Sequence, residues 1–424
     1  MMMRLAVIFE SSPFDRKGLF NAVHNRVKHL LATGECSVDV FCVHSRDNAF
    51  TRSVRHTPDV PFVDETVVDD IRYRLLWYRF SILDNVLLEK LHVRPWLFRR
   101  FMESHVDLLK GYDAVVAHSF CGGLFALAAH EKFGIPYYVT WHGSDVHTHP
   151  MADEARGRLT ARIMERAAVN FFVSETLLAV SSKITDNARK VVLYNGVSED
   201  FRNFGVEEKA RIRSEYGLAA NDKVVAYVGN FHKVKNVTVL PELFSRIHDH
   251  FEMHLRDAGN LDCNLKFWVV GDGKLRSTVE SAVLRAAGTD VRFWGNLPVG
   301  EMPSIMNCID LLVLPSRNEG LPLVTLEAVR CGAFVLGSDV GGIPEVIGKE
   351  CCVPFPDGQD GYPDYESPDF ADRMAQKAVK QLFYPETQRL DPKFSWEQSL
   401  QTEVSFLNSL GTGEEKDRVL PVQG

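Results

Sequence analysis

No apolar run in this chain reaches the roughly 18 residues that a membrane-crossing helix needs. The eight cysteines include no C-x2-C spacing; Cys351 and Cys352 are adjacent, and the others fall within apolar stretches. That pattern argues against a zinc site or a disulfide framework and for buried, reduced thiols in a cytosolic protein. An excess of positive charge is also lacking. The net charge is -8, which speaks against a general nucleic-acid binder. No G-x-G-x-x-G follows the first strand-like run, so the dinucleotide fingerprint is missing. No internal repeat is visible, and the opening MMMRLAVIFE has the form of a strand running into a polar loop, not of a signal peptide.

What is present fits a soluble α/β chain. Its 424 residues predict two domains. Residues 4–9 form a buried-type strand. Leu19, Val23, Val27, Leu30 and Leu31 then repeat with helical period after Gly18, and a strand follows at 38–43. This β-loop-α-β order opens a doubly wound sheet. Strands at 113–118, 137–141, 170–174 and 190–193 continue it, and residues 44–70 read as a loop-rich insertion. A second series follows at 224–228, 265–270, 311–314 and 334–338, with a strand-to-loop passage at 291–298 and a polar insertion at 254–264. Helices are expected at 368–383 and from about 394. The predicted division is 1–198 and 199–393, with a mobile tail at 411–424.

The stretch 316–347, SRNEGLPLVTLEAVRCGAFVLGSDVGGIPEVI, organises the second half. A strand runs in at Pro315, a loop carries Glu319, Gly320, Leu321 and Pro322, and a helix starts at Leu323. A helix N-terminus offers unpaired N–H groups and about half a positive charge, which suits phosphate. Gly320 lets backbone approach a ligand closely. Glu327, inside the helix, can accept from a pair of hydroxyls, and Glu319 can do so for another hydroxyl-bearing group. Two hydroxyl readers flanking a phosphate site describe a sugar nucleotide. Two glutamates at this spacing alone would read as surface charge. The whole window decides otherwise, because EGLPLVTLEA, with PS before it and DVGGIPEVI after it, resembles the E-x7-E signature of the retaining glycosyltransferases of the GT-B fold, of the family 4 or group 1 type.

Other strand ends carry weaker signals. Gly229-Asn230-Phe231-His232-Lys233-Val234-Lys235-Asn236 resembles the family's G-R-L-x-x-x-K-G. Gly229 and Lys235 match, whereas Asn230 replaces the arginine and Asn236 the second glycine. Lysine is a compact cation suited to a diphosphate. Lys235 is the main candidate, and Lys233 is the candidate for the missing charge. Gly271 ends another strand, where the resemblance places backbone near the nucleotide. TWHGSD resembles the family's H-G-x-D segment, which puts His142 beside the donor sugar as a hydrogen-bonding group. By the same resemblance Gly18 offers backbone to a phosphate or acceptor; taken alone it is an ordinary first residue of a helix.

The resemblance implies a GT-B fold, two Rossmann-like domains facing a central cleft, with the last helix crossing back onto the first domain. It implies metal-independent retaining transfer from a UDP- or GDP-linked sugar. Glu319 would hold the donor sugar, Glu327 the ribose, and Gly320, Leu321, Pro322 and Leu323 would surround the diphosphate. No D-x-D stands at a strand end, so no metal and no further cofactor is required. The segment from 71 to about 110 is basic and aromatic, with Arg72, Arg74, Arg79, Arg94, Arg99 and Arg100 among Tyr73, Trp77, Tyr78, Trp96, Phe98 and Phe101. It can be an amphipathic helix on an anionic membrane, implying a lipid-linked saccharide acceptor at the inner membrane face, as in polysaccharide or lipopolysaccharide assembly. It can equally be one or two domain helices with solvated arginines. A small soluble acceptor and a binding-only protein are the rival readings.

Overall fold

In the computed structural model the fold is described over residues 2–14, 18–46, 59–79, 96–259, 262–286, 291–358 and 361–412. The chain divides into two units, Met1–Asn195 with Ser395–Gly424, and Gly196–Phe394.

The first unit is built on eight strands, β1 Met3–Glu10, β2 Cys36–Arg46, β3 Glu65–Val68, β4 Ile71–Arg79, β5 Ala114–His118, β6 Tyr137–Trp141, β7 Val169–Phe172 and β8 Lys190–Val192. The central ones, β1, β5, β6 and β7, are buried on both faces, as a covered parallel sheet requires. Their order is β3-β4-β2-β1-β5-β6-β7-β8. All neighbours are parallel except β3 and β4, a hairpin closed by Asp69 and Asp70 at φ 47 and 64.

β4 corrects the expected basic helix at its first part. IRYRLLWYR alternates, and Ile71, Tyr73 and Leu75 are buried on one face. The period of two, together with β-branched and aromatic residues, outweighs the basic composition. Arg72 and Arg74 lie on the other face, paired with Glu65, and Arg74 also with Asp39. Trp96–His105 is a helix. Residues 80–95 lie outside the described residues. β2 and β3 take up the two ends of the expected insertion at 44–70, through 44–46 and 65–68, while 47–58 are outside the description.

The last helix, Trp396–Thr412, belongs to the first unit. Glu403 on it meets Arg26 at 2.6 Å, with both side chains almost fully enclosed. The Tyr138 hydroxyl donates to the same carboxylate at 2.5 Å, and Arg26 also donates to Asn195. Residues 413–424 of the expected tail lie outside the described residues.

The second unit holds β9 Asp222–Val228, β10 Asn264–Val270, β11 Val291–Gly295, β12 Leu311–Leu314, β13 Phe334–Ser338 and β14 Cys352–Val353. They are all parallel in the order β11-β10-β9-β12-β13-β14. This is the doubly wound order, with its reversal between β9 and β12. The helix Leu240–Ala258 runs through 254–258, where a polar insertion was expected. Leu240, Leu243, Phe244, Ile247, Phe251 and Leu255 make a buried stripe, and Leu255 carries the helix onward. All eight cysteines are free, and all but Cys263 are buried.

Candidate active site

In a parallel sheet every loop after a strand emerges on one edge, and ligands bind there at the point where strand order reverses. In the second unit that point lies between β9 and β12. The loop after β9 carries Lys235, and the loop after β12 carries Glu319. The Lys235 Nζ donates to both carboxylate oxygens of Glu319, at 2.6 and 2.8 Å. The Ser316 hydroxyl donates to Oε1 at 2.7 Å. The pair is largely buried, Lys235 by 77% and Glu319 by 91% of its side chain, so both charges are partly desolvated and held in place.

Asn236 explains how the loop tolerates the loss of a glycine. It adopts φ 52, ψ 35, a left-handed conformation that asparagine accepts more readily than other side-chain-bearing residues. Its amide then donates to the Tyr365 carbonyl at 2.7 Å and accepts from Arg317 at 2.9 Å. Lys233 is exposed in the same turn. The Asn230 carbonyl accepts from the Tyr227 hydroxyl.

The helix Leu323–Cys331 starts after Pro322, which provides no side-chain acceptor for the first-turn amides. Leu321 and Pro322 are buried, and Leu323 is half-buried. Glu327 is half-buried one turn further on, with no hydrogen-bond or ion-pair partner among the described residues. Burial pushes its carboxyl up to about 7.

Two glycines after β13 make close approaches to the loop that carries Gly320. A Cβ on Gly341 would lie 1.9 Å from the Glu319 carbonyl oxygen, and one on Gly342 would lie 2.2 Å from that of Gly320. The loop after β13 can therefore rest on the Glu319–Gly320 backbone only because both lack side chains. Gly271 and Gly229 are related in the same way, at 2.1 Å. Their first task is packing between neighbouring strand-end loops. A cavity of about 380 Å³ opens at the opposite edge of this sheet, among Lys209, Asp222, Asp310 and Phe334, and neither glutamate lines it.

The first unit carries its own cluster at the equivalent strand ends. His142 follows β6 and His118 ends β5. Nε2 of His142 and Nδ1 of His118 share one hydrogen bond at 3.1 Å. Burial first, and then the Arg26 charge, lower His142 to about 3. Burial, His142 and Arg26 lower His118 as well. Asp145 is buried and accepts from the Gly143 N–H at 2.8 Å and the His142 N–H at 3.4 Å. It thereby fixes the backbone turn that presents the imidazole. Gly18 starts the helix Gly18–Ala32 with open space around its Cα. His118 and Ser316 were not singled out from sequence, and Asp145, Gly341 and Gly342 entered only within the HGSD and DVGGIPEVI stretches. His118 at the end of β5 and Ser316 two residues past β12 were the available polar signals.

Residues 222–376 match the family "Glycosyl transferases group 1", and residues 18–196 match "Glycosyl transferase 4-like domain". Family and fold agree. The chain has the GT-B fold, and each of its two units matches a glycosyltransferase family. A Bacillus subtilis protein named for teichuronic acid biosynthesis, TuaC, is 30% identical over 249 residues, 57% of this chain and 56% of that protein. The N-acetyl-alpha-D-glucosaminyl L-malate synthase of Bacillus anthracis is 28% identical over 57% of this chain and 59% of its own length. The chain thus spans little more than half the length of these curated relatives. Among solved structures, sucrose-phosphate synthase from Thermosynechococcus elongatus superposes with a TM-score of 0.67 at 18% identity, over 97% of this chain and all of that one. Anabaena HepE in complex with UDP and glucose gives 0.63 at 15%, over 96% of this chain and all of that one. These likenesses concern the fold. Among the described residues no helix is long and apolar enough to cross a membrane.

Proposed function

We propose that this glycosyltransferase moves a sugar from a UDP- or GDP-linked donor onto a saccharide acceptor with retention at the anomeric carbon. The observation that carries this reading is the set of charged groups at the strand reversal of the second unit. Lys235 is held by Glu319, and a partnerless Glu327 stands on the adjoining helix. A leaving diphosphate needs positioned cations and N–H dipoles. Lys235 supplies the cation, with Lys233 as the second charge, and the uncapped start of the helix Leu323–Cys331 supplies amides. Glu319 turns to hydroxyls of the donor sugar once Lys235 is drawn to phosphate. Glu327 takes the ribose hydroxyls, and the neutral His142 hydrogen-bonds the sugar.

Retention follows from front-face attack, in which the leaving phosphate oxygen accepts the acceptor's proton as the C–O bond to the diphosphate breaks. With two lysines on the phosphates, transfer runs without a divalent metal. The test is thermal unfolding with UDP, GDP, ADP, CMP and dTDP, with and without magnesium, for wild type and Glu327→Ala. One nucleotide should raise the midpoint, equally in chelator, and lose its effect in the variant. A ligand at about a hundred times its dissociation constant adds about 2.7 kcal/mol. No shift with any nucleotide favours a binding-only protein that has lost turnover. The anomeric configuration of an isolated product decides the stereochemistry.

For the acceptor, a saccharide draws support from the polysaccharide in the name of TuaC, and its placement on a lipid at the inner membrane face rests on the exposure of Arg99, which pairs with Glu103, and of Arg100 on the helix Trp96–His105. A small soluble acceptor is favoured by a different observation: Arg72 and Arg74 are committed to sheet acids and not to a membrane face. Liposome flotation of wild type and of the Arg99→Ala/Arg100→Ala double variant separates the two.

A further inference from the structure

The guanidinium of Arg156 is left without a partner in a place where partners abound. Arg156 lies in the first turn of the helix Glu154–Arg166, half-buried, and stacks 4.4 Å above the Phe120 ring just past the end of β5. Its Nε is fully enclosed and bonds to nothing, and no ion pair or side-chain hydrogen bond is formed by the residue among those described. Burial pulls the group below its ordinary range, while Asp145, Glu10 and Asp153 act on it from nearby. Each of those acids is engaged elsewhere. Asp145 accepts from the Gly143 and His142 N–H groups, Asp153 caps its own helix through Ala155 and Arg156 N–H, and Glu10 accepts from the Tyr78 hydroxyl. A half-enclosed guanidinium with unused donors is costly, and its planar fork matches a carboxylate or phosphate better than any neutral group.

We propose that Arg156 binds an anionic group, a carboxylate or phosphate, carried by the acceptor, with Phe120 as the platform that keeps the fork flat. The word "acceptor" rests on the transferase reading, because the site shares Asp145 with the turn that presents His142. Anion binding itself does not depend on that reading.

The test is reaction of the full-length protein with phenylglyoxal, with modification of each arginine mapped by peptide mass spectrometry. It is run alone and with inorganic phosphate, malonate or glucose. Arg156 should react in the free protein and be protected, saturably, by phosphate or by malonate. Whichever anion protects at lower concentration names the acceptor's charged group. Glucose should give no protection. An unreactive Arg156, or protection equal in all three, overturns the proposal. In parallel, thermal stabilisation by the protecting anion should need at least about ten times more anion in Arg156→Gln, since hydrogen bonds to charged groups are worth that much. Arg156→Lys should fall between. Arg158→Gln, on the exposed side of the helix, should respond like wild type, and Lys235→Ala, which removes the cation assigned to the donor's diphosphate, should keep the Arg156-dependent part of the response. Should Arg156→Gln fail to fold, Arg156→Lys carries the comparison. An anion response lost in Lys235→Ala and kept in Arg156→Gln places the anion in the second unit and refutes the site. A nucleotide response without an Arg156 response leaves the transferase reading standing and this one fallen.

Discussion

Lys235 and Glu319 neutralise each other across the strand reversal of the second unit, with the ammonium reaching both carboxylate oxygens within 2.8 Å. On the proposed reading, a diphosphate competes with Glu319 for the same cation. Glu319→Gln removes the competitor and leaves a side chain that can still accept from Ser316. Its affinity for the nucleoside diphosphate should equal or exceed that of wild type. Turnover should drop by about a hundredfold, the usual cost of losing one charge-positioning group. Calorimetry with the diphosphate and a single-turnover assay read the two effects separately. A parallel loss of both would mean that the pair only stabilises the loop.

Glu327 makes the site sensitive to pH. Its folded carboxyl is raised to about 7, so between its ordinary 4.5 and 7 the folded state holds a proton that the unfolded state has lost. That contribution to stability is full below 4.5 and is lost as pH rises through 7. On the proposed reading, ribose hydroxyls bind the ionised form. Nucleotide affinity should therefore climb from pH 6 to 8 with release of a proton, detectable as a buffer-dependent binding enthalpy. Glu327→Gln should bind weakly, with no slope, and should be more stable than wild type above pH 7.

Much of the frame was legible because the signals are local. The strand at 311–314 and the helix at 368–383 follow from apolar period and flanking turns. β4 escaped because composition drew attention away from its alternation. The site was legible one residue at a time and not as an assembly. That Lys235 and Glu319 touch depends on β9 lying beside β12, a fact of sheet order. The same holds for His118 and His142 on β5 and β6, and for Arg156 over Phe120, where helix packing decides. The crowding of Gly341 and Gly342 against the Glu319–Gly320 backbone was not legible either, because it joins loops some twenty residues apart in sequence.

The glycines therefore differ in what replacing them costs. Gly271→Ala and Gly341→Ala each place a methyl about 2 Å from a neighbouring carbonyl oxygen, at φ 124 and 52. Both should lower the unfolding midpoint of the second unit by several degrees and abolish nucleotide binding. Gly18→Ala meets open space at the start of a helix, where alanine is favoured by up to about 1 kcal/mol. It should leave stability unchanged or slightly higher. Any fall in its transfer rate would then report lost backbone contact with a ligand. Thermal melts paired with initial rates distinguish these outcomes.

The histidine pair gives the acid limb of stability. His142 is lowered to about 3, and His118 is lowered too, so both stay neutral when folded while an unfolded chain takes up protons below 6.5. Their contribution is present above 6.5 and lost as pH falls from there toward 3, at up to about 1.4 kcal/mol per pH unit for each proton. This slope opposes that of Glu327 between 4.5 and 6.5. Denaturant titrations of Glu327→Gln, in which the opposing group is gone, should show stability falling from pH 6.5 to 5, and His118→Phe should flatten that fall. Because neither imidazole gains a proton in the working range, transfer between pH 6 and 8 should show no histidine limb, and the His142 ring signals in NMR should not move between pH 5 and 8. Arg26→Met removes a cation that both rings feel, and it also strands Glu403 in the core. It should shift the titration of His142 upward while lowering stability by about 3–5 kcal/mol, the cost of orphaning one half of a buried pair. An unmoved His142 in that variant would assign its neutrality to burial alone.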